Sequence, residues 1–393
     1  MTAARPNILV IVIDRLNAGY LGPYGNTWVE TPALNRFASQ SLIAEFAFST
    51  SPDLAQVYRS YWQGLHPLAK SPAKCGSSLP AQWADEERQS VLITDESLVS
   101  ELPEAHLFEH CEWIPSRQVT AAAPIVAETN FAELIAATIE QLQSATAPFA
   151  YWVHSRGLSG PWDAPLALRD HLRGEEDPES PTFIAPPDLL LAKDYDPDEL
   201  LDYSHAYAAQ VMAIDECLES LFEAVDKSPL AENTLVAFTS PRGYLLGQQR
   251  LVGQSHGALL ADQIQVPLLL RYPQERFAAE RWQGLCEPRD LHHWLATDSA
   301  TSLPGRDRIV LASAQEQAFR TPAWHLRTTV NEPDTHELYA KPDDRYEVND
   351  VAGRCQQLVE QLHETLTSTA QAIADDTEPQ LAPLAAELVD SVR

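Results

Sequence analysis

The sequence predicts an α/β fold with a mostly parallel central sheet, helices on both of its faces, and a small antiparallel sheet added at the C-terminal end. Three observations carry that prediction. Residues 8–13 (Ile-Leu-Val-Ile-Val-Ile) form an unbroken β-branched and aliphatic run, which is how a strand buried on both faces reads. Buried strands then alternate with helices of 3.6-residue period, as parallel-cored sheets require. From about residue 300 the pattern changes to short strands separated by turn residues.

The elements follow in order. The first strand ends at Asp14, and its C-terminal end is where ligands gather in such sheets. Thr31-Pro32 reads as an N-cap with proline at the first helical position, with Leu34, Phe37, Ala38 and Leu42 on one face of the helix. Phe131, Leu134, Ile135, Thr138, Ile139 and Leu142 give a second amphipathic helix, and residues 149–153 a strand directly after it that ends at His154. Residues 174–198, rich in Pro, Asp and Glu, form an excursion loop. A longer helix opens at Asp198 with Leu201, Ala208, Val211, Met212, Leu218 and Phe222 inward, followed by strands at 234–240 and 266–270. Residues 309–312, 325–329 and 337–339 make the small sheet, and 351–369 a helix. The domain reading is 1–300 for the α/β domain, 301–370 for the small-sheet subdomain and 371–393 for an acidic tail.

Composition limits function. The 393 residues carry 56 acidic against 27 basic side chains, a formal charge of -29, which repels phosphate backbones and makes nucleic acid an unlikely partner. The five cysteines never form a C-x-x-C pair, so reduced thiols are expected. The N-terminus lacks a charged leader followed by an apolar run, and residues 8–13 are too few to cross a bilayer. A cytoplasmic protein without membrane attachment is therefore expected.

Several segments resemble the sulfatase family of the alkaline-phosphatase superfamily. Arg5-Pro6-Asn7-Ile8-Leu9 to Asp14, Leu21-Gly22 to Tyr24-Gly25-Asn26, and Thr31-Pro32-Ala33-Leu34 are similar to its opening strand, glycine-bearing loop and first helix. His154-Ser155-Arg156-Gly157 with residues 160–165 resembles its mid-chain histidine loop, and Thr239-Ser240-Pro241-Arg242-Gly243 a metal-binding loop. Val266-Pro267-Leu268, Ala323-Trp324-His325-Leu326-Arg327 and Glu337-Leu338-Tyr339 extend the likeness over essentially the whole chain. The resemblance implies an alkaline-phosphatase-like sandwich and hydrolysis of sulfuric esters. Its chemistry uses a divalent cation, commonly calcium, held by two adjacent aspartates and by a later aspartate with an asparagine or histidine. The nucleophile is a cysteine matured to formylglycine. Calcium suits that role because it takes six to eight hard oxygens and neutralises sulfate charge.

This sequence departs from that plan at the pocket. The adjacent-aspartate positions hold Asp14-Arg15 and the later pair holds Pro241-Arg242, so Asp14 is the only retained ligand position. Counting back from Gly64 puts Leu54 at the cysteine and Tyr58 at its arginine, while counting back from Val266-Pro267 puts His256 at the active-site lysine. His154 matches the mid-chain histidine. No metal and no cofactor are expected, because one carboxylate beside two guanidiniums cannot compete for calcium. Arg15 and Arg242, with His154, His256 and Tyr58, are expected to bind a small sulfated or phosphorylated ligand without hydrolysing it, since an arginine fork fits such oxyanions. The alternative is that Arg15 pairs with Asp14 or a neighbour inside a closed pocket. An active ester hydrolase with a non-standard site, using Asp14, His154 or His256 as catalytic groups, and an interaction partner of an active sulfatase are further alternatives.

Other motifs carry bland readings. His106-Leu107-Phe108-Glu109-His110 matches a zinc pattern but follows Pro103 and lacks a third ligand. Cys75 precedes Gly-Ser-Ser-Leu rather than a maturation sequence, and His292-His293 are adjacent and diverge on a helix. Ser51 and Ser60 read as capping and packing residues. Tyr151, Trp152 and Trp162 suit either a pocket wall or the core.

Overall fold

A computed structural model describes residues 5–70, 77–253, 257–297 and 305–390. Its strands are β1 (Asn7–Ile13), β2 (Leu42–Ala47), β3 (Gln89–Thr94), β4 (His110–Trp113), β5 (Phe149–Ser155), β6 (Leu189–Leu190), β7 (Thr234–Thr239), β8 (Leu245–Leu246), β9 (Leu251–Gly253), β10 (Leu268–Arg271), β11 (Arg281–Cys286), β12 (Ile309–Ala312), β13 (Glu316–Arg320), β14 (Trp324–Thr329) and β15 (Glu332–Ala340). Eight of them form one sheet in the order β11-β2-β10-β7-β1-β5-β3-β4. Only β10 runs against the rest of that sheet, because it pairs antiparallel with both β7 and β2. The mostly parallel sheet predicted from the sequence is therefore present, as is the small C-terminal sheet, a β12-β13-β14-β15 meander. Strands β6, β9 and β8 form a short third sheet, with β6 inside the expected excursion loop.

Strand alternation divides the core. Leu9, Ile11 and Ile13 of β1 join Tyr151, Val153, Val236 and Phe238 on one face. The helices Pro32–Ser39, Asn130–Gln143 and Pro197–Asp226 cover it. Val10 and Val12 point to the other face with Ala150, Trp152 and Ala237, under the helices Leu54–Gln63, Leu79–Asp85 and Pro288–Thr297. Burial of Val57, Tyr58, Tyr61 and Trp62 from the helix Leu54–Gln63 stabilises this layer by about 1.5–3 kcal/mol per large side chain. Asp53 caps that helix by accepting the Gln56 amide at 3.0 Å, and Gly64 ends it in the left-handed conformation.

Two assignments change. Leu42 does not continue the first helix, which stops at Ser39; it begins β2, between β10 and β11. The C-terminal helix spans Gln356–Ala374 and thus starts later than residue 351. Within the meander, Val310, Phe319, Leu326 and Leu338 pack on that helix, while Ile309, Leu311 and Ala318 pack with Phe48, Leu259 and Ile264 from earlier in the chain.

Candidate functional site

The C-terminal ends of β7, β1 and β5, three adjacent strands at the middle of the sheet, meet at one point. Val12 is paired with Thr239 on one side and His154 on the other. Two residues beyond Val12 on the same face stands Asp14, which has no solvent exposure. Both of its oxygens are held by Arg242, whose Nε donates to Oδ1 and Nη2 to Oδ2, each at 2.9 Å. Arg242 Nη1 donates to the Pro52 carbonyl at 2.7 Å, and Ser159 Oγ donates to Asp14 Oδ2 at 2.8 Å. Burial alone would raise the Asp14 pKa. The Arg242 charge and its hydrogen bonds, with Arg15 and His154 behind them, outweigh burial and hold the carboxyl well below its ordinary range.

Close backbone approaches build this corner. A Cβ on Gly157, whose φ is 48°, would stand 2.6 Å from Ile13 Cγ2 and 2.7 Å from the Asp14 carbonyl oxygen. Its absence lets Leu158 N–H donate to Asp14 O at 3.0 Å and sets Ser159 over the carboxylate. Ser240 accepts the Leu16 amide at 3.2 Å and donates to Arg242 O at 2.7 Å, joining the two loops.

Arg15 leaves the strand with φ 65°. Its Nη1 donates to the Gly243 carbonyl at 3.2 Å, and its own carbonyl accepts Tyr207 Oη–H at 2.7 Å. Burial and the neighbouring Arg242 charge lower its pKa to about 9. Of the alternatives, the closed pocket in which an arginine pairs with Asp14 is the nearer one, but the arginine that holds both carboxylate oxygens is Arg242. Two open cationic side chains are not what the corner presents.

His154 and Tyr58 meet at 2.7 Å between Nδ1 and Oη, and Trp152 Nε1 donates to the same Tyr58 oxygen at 3.0 Å. Tyr58 Oη accepts from Trp152 and shares its remaining hydrogen bond with His154 Nδ1. Burial, with Arg242 adding to it, lowers the His154 pKa to about 4, so the ring is neutral. Tyr58 packs edge-on against Tyr61 and Trp62. Tyr151, Trp152 and Trp162 are core residues. Leu54 is buried in the first turn of its helix, and Ser60 Oγ donates to Leu65 O at 2.7 Å.

The structure brings Asp14, Arg242, His154 and Tyr58 together, with Arg15 near them and hydrogen-bonded to the Gly243 carbonyl. His256 and Cys75 lie outside the described residues. His106 sits in a short 3-10 turn and His110 begins β4, where it meets Glu112 at 2.9 Å, so that motif is not on one helix. His292 Nδ1 is 3.0 Å from the Tyr61 carbonyl. Sequence reasoning missed Ser159 and Asp95. Asp95 follows β3, accepts the Arg156 amide at 2.6 Å, and is pushed by burial up to about 6. With Arg117, Arg156 and Ser159 it lines a cleft of about 620 Å³ beside the corner.

The sulfatase family model matches residues 6–292. The chain belongs to the sulfatase family. Among curated proteins, this sulfatase-family chain is 27% identical over 132 residues to the multifunctional alkaline phosphatase superfamily protein PehA of Trinickia caryophylli, a match covering 32% of this chain and 25% of that protein. In solved structures the likeness is one of fold. The phosphonate monoester hydrolase of Agrobacterium radiobacter superposes with a TM-score of 0.74 at 15% identity, covering 94% of this chain and 96% of that one. A putative sulfatase from Bacteroides thetaiotaomicron gives 0.72 at 15% identity, covering 98% and 96%. BT4656, bound to its substrate D-glucosamine-2-N,6-O-disulfate, gives 0.72 at 15% identity, covering 95% and 99%.

Proposed function

We propose that this chain is a non-hydrolysing member of the sulfatase family, its would-be catalytic corner closed by an internal ion pair. The observation that carries the reading is the bidentate Arg242–Asp14 pair at the place where the family resemblance calls for a cation. The donor set does not fit a divalent metal. Calcium needs several anionic or neutral oxygens, whereas the one carboxylate here already has three hydrogen-bond donors and two guanidiniums in its surroundings. Leu54 has no heteroatom to oxidise, so formylglycine chemistry has no starting group. Arg242 itself has Nε, Nη1 and Nη2 each committed to protein oxygens, which favours the closed centre over an anion pocket at Arg15 and Arg242.

The test is turnover of aryl sulfate, aryl phosphate and aryl phosphonate monoesters, with and without calcium. Release of the aryl alcohol at the buffer rate is expected throughout. Turnover that disappears in Arg242→Ala would overturn the proposal.

One observation favours a second reading. Asp95, with a pKa of about 6, stands in an open cleft with Arg117 and Arg156, the combination a general acid next to oxyanion-binding groups would use. Turnover lost in Asp95→Asn and kept in Arg242→Ala would select it.

A further inference from the structure

A second cavity, of about 350 Å³, lies between β2 and the C-terminal meander, away from Asp14. Its size falls at the lower end of small-molecule sites. Charge on its walls is unbalanced. Arg281, Arg320, Lys341 and Arg345 face Glu45 and Glu347, four cations against two carboxylates, in a chain whose total charge is -29. Both carboxylates are already taken, Glu45 by Arg281 at 3.1 Å and Glu347 by Lys341 at 3.0 Å and the Ala261 amide at 2.9 Å. His325 adds no charge: its Nε2 meets the Leu259 carbonyl at 2.9 Å, and burial holds its pKa well below the ordinary value.

The excess rests on Arg320 and Arg345. Alternation along β13 turns Ala318 and Arg320 toward the larger domain, so the Arg320 guanidinium sits 5.2 Å from the centre of the Phe48 ring. Arg320 is 4% exposed. Its protein hydrogen bonds both leave from Nη1, to the carbonyls of Thr321 and Trp324 at 2.5 and 3.2 Å. Arg345 Nη2 lies 2.7 Å from where a Cβ on Gly19 would stand, so the glycine makes room for it. Among the described residues, no carboxylate lies within ion-pair distance of either side chain. Glu347 acts on Arg320 and Asp262 on Arg345 only from beyond contact, so neither guanidinium is fully compensated and an anionic ligand would reduce the cost of burying them. Phe46, Phe48 and Ile264 supply apolar wall beside the charges, which suits an organic body attached to the anion.

We propose that this cavity binds a small organic phosphate or sulfate ester, its oxyanion held between Arg320 and Arg345 and its organic part against Phe46 and Phe48. The site shares no residue with the Asp14 centre, so it stands or falls separately from the absence of hydrolysis.

Isothermal titration of the full chain with phenyl phosphate, phenyl sulfate and inorganic phosphate tests the assignment, with phenol release followed in parallel so that turnover is not mistaken for binding. At least one ester is expected to bind saturably and more tightly than inorganic phosphate. Arg345→Ala, which removes a half-buried side chain with no ion pair, is expected to weaken that binding about tenfold or more, the worth of a charged hydrogen bond. Arg320→Lys, chosen because Arg320→Ala risks misfolding, is expected to weaken it as well, since lysine lacks the fork. The tighter ester identifies the headgroup. Absence of saturable binding by both esters, or an affinity unchanged in Arg345→Ala, would overturn the site; equal affinity for inorganic phosphate would overturn the ester.

Discussion

A carboxylate out of contact with water stays ionised only while cations and donors surround it, and Asp14 depends on Arg242 for both oxygens. Asp14→Ala therefore leaves a guanidinium largely buried and uncompensated, with an expected loss of about 3–5 kcal/mol in urea unfolding. Asp14→Leu combined with Arg242→Met removes both charges and should recover most of that loss; a double variant as unstable as the single one would show that packing, not charge, holds the corner. His154 adds a pH dependence. Its folded pKa, about 4, lies below the ordinary 6.5, so its contribution is complete above pH 6.5 and is lost as pH falls toward 4. The loss amounts to at most about 3 kcal/mol. Asp95, Asp215 and Asp262, each raised to about 6 by burial, act in the opposite sense, since their contribution is lost as pH rises through 6. The contrast between wild type and His154→Gln isolates the histidine: wild type should lose more stability between pH 6.5 and 4, and parallel curves would refute a neutral buried ring.

Loops after the strands decide which side chains meet, and Gly243 shows how tightly they are fitted. A Cβ there would stand 2.0 Å from the Asp262 carbonyl oxygen, a backbone atom that cannot rotate away. Gly243→Ala is expected to separate the two loops, lower stability by about 1–3 kcal/mol and loosen the Arg242 contact, read as a lower urea midpoint; an unchanged midpoint would contradict the fit. The central strands were legible because β1, β5 and β7 are buried on both faces and read as apolar runs. The end of the first helix was not, because Leu42 continues the i, i+4 spacing from Ala38 although the chain turns at Gln40 into β2. Strand β13, Glu-Gln-Ala-Phe-Arg, has too little apolar pattern to announce itself and depends on its neighbours β12 and β14. At the site, position along the sequence singled out Asp14, Arg242, His154 and Tyr58, which the fold places near one another. The turn that sends Arg15 to Gly243, and the loop that lays Ser159 on Asp14, arise from backbone geometry at φ 65° and φ 48° that residue types alone do not encode.

For the molecule as a whole, the excess of acidic side chains attracts divalent ions to the surface, so metal binding must be judged against that background. A cation held specifically by the native state raises the melting temperature through RT ln(1 + [L]/Kd), about 2.7 kcal/mol at a hundredfold excess over Kd. Diffuse attraction distinguishes poorly between calcium and magnesium, whereas a cage of oxygens does. Wild type is therefore expected to melt at the same temperature in millimolar calcium as in equal magnesium, because Arg242 takes both oxygens of Asp14. Arg15→Asp, Pro241→Asp and Arg242→Asn together rebuild the donor set that the family resemblance calls for, and this triple variant should gain a calcium-specific rise. A calcium-specific rise in wild type would mean that the ion displaces Arg242 from Asp14, and the closed centre would no longer describe the protein in solution.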